Sequence, residues 1–234
     1  MAEGELARFI DHWTVEFIRI YPHPIERVWK AVSDPAEVAI WFIPPTVWDL
    51  TPGGAYRFHD DGPTRRAKNG FTGVVQAVEP PRLVRFGPHP SGAAWPGAGP
   101  GAESWFQFEL EAVPGGTRLR YLQHADPGVT DPDEPRAEFV SPGRPGSLAG
   151  WHAAFDELDE LLDGAPIGSR LPPTRLTEIF GSWAGFAMAA EFSPEQKARI
   201  LKGLRTRERW FELVDTYTDH VRATRPRVTH AEGV

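Results

Sequence analysis

From Trp13 to His124 the chain is a succession of short alternating segments joined by tight turns, and only one helical stretch beside them is long enough to cover the sheet they imply. The alternation is plainest in three places. Trp13, Val15 and Phe17 share one face, with Thr14, Glu16 and Ile18 on the other. Phe106, Phe108 and Leu110 lie opposite Trp105, Gln107 and Glu109. Leu119 and Tyr121 share a face after Pro114-Gly115-Gly116, which is a hairpin turn signal. Thr46 to Leu50, Ala55 to His59, Phe71 to Glu79 and Leu83 to Phe86 read as the remaining strands. Short turns make neighbours in sequence neighbours in space, so the sheet is antiparallel. Its apolar face must be covered. The covering element is the helix at 147–163, where Ser147 stands at the N-cap and Leu148, Trp151, Phe155, Leu158 and Leu162 form one stripe. Gly164 closes it. The fold class is α+β: a curved antiparallel sheet around a long helix.

Between the first two strands lie two short helices. Ile25, Val28, Trp29 and Val32 carry the first, behind Pro22 and Pro24. The second begins at Asp34-Pro35, where Asp34 and Glu37 have capping-box spacing, and buries Val38, Trp41 and Phe42. From Trp41 to Gly62 the chain reads WFIPPTVWDLTPGGAYRFHDDG: an aromatic pair, a proline break and two short strands about a Pro-Gly-Gly turn. Segments 87–101 and 125–146, rich in Gly and Pro, read as long loops able to serve as lids. These features predict one domain over 12–163 and a helical extension over 165–228.

The extension differs in charge. Ser193 to Val228 holds nine Lys/Arg against five Asp/Glu, so it is +4 while the rest of the chain is −11. Opposite charges favour docking of the extension on its own domain or on a second subunit, which would make a homodimer. Interleaved Glu208, Glu212, Asp215 and Asp219 argue against a nucleic-acid stripe, as does the overall charge of −7. There is no cysteine, so disulfides, thiolate nucleophiles and Cys-type zinc sites are excluded. No apolar run reaches the roughly 20 residues of a membrane span. The N-terminus has no apolar signal-peptide core, and a cytoplasmic location is expected.

The segment TVEFIRIYPHPIERVWKAVSDPAEVAIWF resembles the opening of the activator of heat-shock-protein ATPase homologue family, of the START-like (SRPBCC) superfamily. WDLTPGGAYRFHDDG is similar to its Gly-Gly strand turn, and NGFTGVVQAVEPPRLVRF to its central hairpin. GGTRLRYLQH and GWHAAFDELDELL resemble its last strand and closing helix. The resemblance implies a helix-grip fold with a cavity between sheet and helix. Relatives include lipid binders, polyketide cyclases and aromatases, other enzymes and a cochaperone, so fold alone does not choose a function.

Aromatic residues carry the sharpest site prediction. Trp41, Phe42, Tyr56, Phe58, Phe106, Phe108, Tyr121, Trp151 and Phe155 are expected to face the space between sheet and helix and to line a pocket for a hydrophobic, aromatic or polyketide-like small molecule. A cyclase-, aromatase- or hydrolase-type enzyme would use the same space, with His124 at its mouth or His152 at the edge of the helix stripe as general base, and with Tyr121 or an inward Arg sharing the electrostatic work. A cochaperone-like interaction protein is the third reading, resting on the extension. Arg19, Arg57 and Arg120 lie on strands; one pointing inward would be placed to hold a carboxylate or phenolate. No metal-ligand spacing, phosphate loop or cofactor motif is present, so neither a metal nor a cofactor is expected.

Overall fold

The longest pairing in the molecule is a hairpin of two eleven-residue strands, β7 (Glu103–Val113) and β8 (Gly116–Asp126). Val113 pairs with Gly116 across Pro114-Gly115, where Gly115 has φ 87°. That left-handed conformation is what a Pro-Gly turn needs at its second central position. In the computed structural model the described residues are 6–42, 44–58, 72–87, 103–126, 145–165 and 213–226. The predicted lids at 87–101 and 125–146 and the extension before residue 213 lie almost wholly outside them.

The other strands are β1 (Arg8–Phe9), β2 (Thr14–Tyr21), β3 (Pro45–Trp48), β4 (Ala55–Phe58), β5 (Thr72–Glu79) and β6 (Leu83–Gly87). They form one antiparallel sheet in the order β1-β2-β8-β7-β6-β5-β4-β3. The first and last long strands, β2 and β8, are neighbours near the β1 edge and pair over eight residues, from Thr14↔His124 to Tyr21↔Thr117. The sheet is not closed. Its inner face follows the parity read from sequence: Val15 and Phe17 on β2, Leu119 and Tyr121 on β8, and Phe108 and Leu110 on β7 are all buried.

Helices α1 (Ile25–Ser33) and α2 (Pro35–Trp41) bridge the turn from β2 to β3. Asp34 caps α2, its Oδ1 accepting from the Ala36 amide at 2.8 Å. Glu37 does not complete the capping box. It bonds Arg27 at 2.5 Å and Lys30 at 3.0 Å instead, tying α2 back to α1. Two indoles fix this corner: Trp41 Nε1 donates to the Ala31 carbonyl at 2.9 Å and Trp48 Nε1 to the Ser33 carbonyl at 2.7 Å.

Helix α3 (Pro145–Leu162) lies across the inner face and buries Leu148, Trp151, Phe155, Leu158 and Leu162, the stripe expected from sequence. The described part of the extension is a helix at 213–224, here α4. It docks on its own chain. Leu213 and Tyr217 are buried, Tyr217 Oη accepts from the Ala7 amide at 3.2 Å, and His220 Nε2 donates to the Ala7 carbonyl at 2.6 Å. His12 Nδ1 donates to the Pro226 carbonyl at 2.8 Å, and the Arg225 guanidinium lies 5.8 Å from the Phe9 ring. No helix among the described residues is long and apolar enough to cross a membrane.

Candidate functional site

Tyr121 stands at the centre of the inner face. Its strand partners are Phe17 on β2 and Phe108 on β7. Above it α3 presents Trp151, with ring centroids 4.2 Å apart, and Phe155 at 5.4 Å. From this centre the rings run outward in contact. Trp41 meets Phe108 edge-on at 6.2 Å and stacks on Phe155 at 6.3 Å. Phe42, at the C-cap of α2, stacks on Trp151 at 4.8 Å with 12° between planes. Phe58 meets Phe42 edge-on at 5.2 Å, and Tyr56 meets Phe106 edge-on at 5.9 Å. All nine aromatic residues named from sequence therefore belong to one connected cluster. Phe17, Trp48 and Phe86 join it; Phe86 stacks on Phe106 at 4.7 Å.

The expectation of an open cavity is corrected. Among the described residues the rings fill the space, leaving a void of about 10 Å³ bounded by Val32, Val38, Trp48, Phe86 and six of the nine predicted rings. That is about the size that admits one water molecule. The reason is volume: offset and edge-on pairs at these separations interlock as they do in a packed core. Phe42 is one of the few members that remain partly exposed, and it closes the Trp151 face.

Polar atoms within this apolar mass are few. The Tyr121 hydroxyl is buried and has no hydrogen-bond partner among the described residues. Burial, reinforced by neighbouring Tyr56, holds its pKa well above the ordinary phenol value. Burial also raises Tyr56. Gln123, two residues further on the same face, buries an Oε1 with no partner among the described residues. Sequence reasoning passed over it, although counting by two from Tyr121 finds it. Of the three strand arginines, Arg19 is the one on the inner face. Its Cζ lies 5.8 Å from the Phe155 ring and 5.9 Å from Phe17, its Nη1 donates to the Ile18 carbonyl, and its Nη2 is buried with no partner among the described residues. Arg120 points outward to Glu16 and Glu109, and Arg57 is exposed.

Neither histidine named as a general base faces the rings. His124 is three residues from Tyr121, so strand parity puts it on the outer face. There it stacks on Trp105 at 5.4 Å, and its Nδ1 lies 2.9 Å from Thr14 Oγ1. Arg85 covers the other side of this pair, its Cζ 4.0 Å from the Trp105 ring. His152 is buried on the side of α3 that meets α4, with Nδ1 2.9 Å from Tyr217 Oη and Nε2 3.6 Å from Asp156. Among the described residues no three His, Asp or Glu side chains converge as metal ligands would.

A curved antiparallel sheet gripping one long helix, with its aromatic contents enclosed between them, defines a START-like, helix-grip protein. Residues 22–163 match the family model described as activator of Hsp90 ATPase homolog 1-like protein, and the chain belongs to that family. No curated protein matches the chain. Among solved structures, a Rhodobacter sphaeroides protein is 24% identical with a TM-score of 0.50, covering 68% of this chain and 97% of that one. A Mesorhizobium loti protein is 26% identical with a TM-score of 0.47, covering 64% and 97%. CalU16 of Micromonospora echinospora is 20% identical with a TM-score of 0.46, covering 86% and 88%.

Proposed function

We propose that the protein binds a flat, hydrophobic small molecule, aromatic or polyketide-like, between α3 and the sheet, against Trp151. One observation carries this reading: the Tyr121 hydroxyl is fully buried and unpartnered among the described residues. Such a group costs folding about 1–3 kcal/mol, and a phenylalanine would fill the space without that cost. A hydroxyl kept there is explained by a partner that arrives from outside. The ring-walled interior supplies the rest, since apolar burial returns about 25 cal/mol per Å² of guest surface removed from water.

The closed packing sets the manner of entry. A guest must take space now held by a ring, and Phe42 is the one suited to yield. It is partly exposed, sits at a helix end and already occupies the face of Trp151 that a flat guest would use. Guest and Phe42 then compete for the same stack. With His124 on the outer face and His152 bonded to Tyr217, the histidines that motivated an enzyme stand away from this space, and the reading is a binding protein.

Calorimetric titration of the full chain with naphthalene tests it. The expected result is one site per chain with a dissociation constant in the range of tens of micromolar, about −6 kcal/mol. Absence of saturable binding up to the solubility limit contradicts it.

A further inference from the structure

Gln123 and Tyr121 sit on one strand, two residues apart, and their side chains share the inner face. Each presents a buried polar atom, Oε1 and Oη, without a partner among the described residues. Most polar atoms in the surrounding framework are accounted for: the Trp41 and Trp48 indoles donate to helix carbonyls, and Thr117 Oγ1 donates to the His23 carbonyl. Two such atoms on one face of one strand are placed to be met by a single guest.

Their chemistry is complementary. A phenol held protonated is a donor across the neutral range, and burial holds Tyr121 in that state. An amide oxygen only accepts. With the Gln123 amide oxygen facing the guest, a carboxylate would accept from Tyr121 but has no proton for Oε1, and two acceptors would face each other. An ether or ketone has the same failing without the charge. A hydroxyl satisfies both atoms, accepting from Tyr121 Oη–H and donating to Gln123 Oε1. We infer that the guest is a hydroxylated aromatic, a phenol or polyphenol, and that Gln123 sets specificity by accepting its hydroxyl proton while Tyr121 donates to its oxygen.

This inference rests on the reading that the ring cluster is the binding site, and it orients the guest there. Gln123 lies opposite Phe106 and Tyr121 opposite Phe108, so the oxygenated edge runs along β8. The carbon skeleton then extends toward Phe106 and Trp151, whose rings lie 6.2 Å apart. Arg19 is the competing reader of polarity. It lies on the other side of Tyr121 along the face, opposite Leu119, and would favour an anion.

Titrating the full-length protein at neutral pH with naphthalene, 2-naphthol, 2-methoxynaphthalene and 2-naphthoate separates these outcomes. The wild type should bind 2-naphthol at least about tenfold more tightly than either naphthalene or 2-methoxynaphthalene, since a site built for a hydroxyl rejects analogues that leave its polar atoms bare. Gln123→Met, close in shape and without the acceptor, and Tyr121→Phe should each reduce that preference to within about twofold, with circular dichroism confirming the fold. Equal wild-type affinity for 2-naphthol and naphthalene overturns the hydroxyl assignment and leaves the ring-cluster reading standing. Tightest binding of 2-naphthoate also overturns it, in favour of Arg19. No binding of any of the four overturns both.

Discussion

The indole of Trp151 and the phenol of Tyr121 face each other across the interior with ring centroids 4.2 Å apart, one from α3 and the other from the middle of β8. The contact joins the two layers at the point where a hydroxyl without a partner among the described residues is buried. A contact that only held the layers together would be stronger without that oxygen.

Tyr121→Phe should therefore stabilise the protein, by about 1–2 kcal/mol in urea unfolding, while weakening the binding of hydroxylated guests. A loss of stability would show that the hydroxyl is satisfied within the folded chain.

Tyr56 and Tyr121 give the protein an alkaline limit. Burial raises both phenols in the folded state. Their contribution is present in full below the ordinary value near pH 10 and is lost as pH rises beyond it. Ultraviolet titration should show these two of the four tyrosines ionising together with loss of near-ultraviolet circular dichroism, not before it. Ionisation of all four with the tertiary signal intact would contradict the packing described.

Glu16 gives an acid limit on the outer face. Burial alone would raise its pKa, but hydrogen bonds from Arg8 and Arg120 outweigh burial and hold it low. Its contribution is present above the ordinary carboxylate value, about 4.3, and is lost as pH falls through the lower folded value. Glu16→Gln should cost about 2 kcal/mol at pH 7, less than a fully enclosed pair because both arginines reach solvent. The difference from wild type should begin to shrink as pH falls below about 4.3 and should vanish only below the lowered folded value, where wild-type Glu16 is itself protonated. A difference independent of pH would mean that the ion pairs contribute nothing.

Tyr217 joins the N-terminal segment to α3 through one oxygen, accepting from the Ala7 amide and bonding His152 Nδ1. Tyr217→Phe should cost about 2 kcal/mol and speed amide exchange at residues 7–9. Unchanged exchange there would show that α4 is not what holds the first strand.

Much of the fold is legible in the sequence because period-2 alternation and helix punctuation are local signals. The β7–β8 hairpin, α1 and the α3 stripe follow from residues a few positions apart. Strand β1 spans two residues, Arg8 and Phe9, and offers no period to read; its pairing with Glu16 and Val15 is a tertiary fact. The site is legible in membership but not in shape. Alternation names the nine rings, whereas whether they leave space depends on how they interlock across five elements. A place for His124 at the cavity mouth conflicts with its odd offset from Tyr121, which puts it on the opposite face, so the same alternation that finds the rings carries the correction. His152 sits where the helical wheel puts it, but its bond to Tyr217 joins residues 65 positions apart, beyond the reach of a local pattern.

The most direct measurement is a crystal structure of the protein grown with naphthalene. The account predicts the guest flat against Trp151, in the place of the Phe42 ring, with Phe42 turned outward. Phe42 still stacked on Trp151, with naphthalene bound elsewhere or not at all, would contradict it.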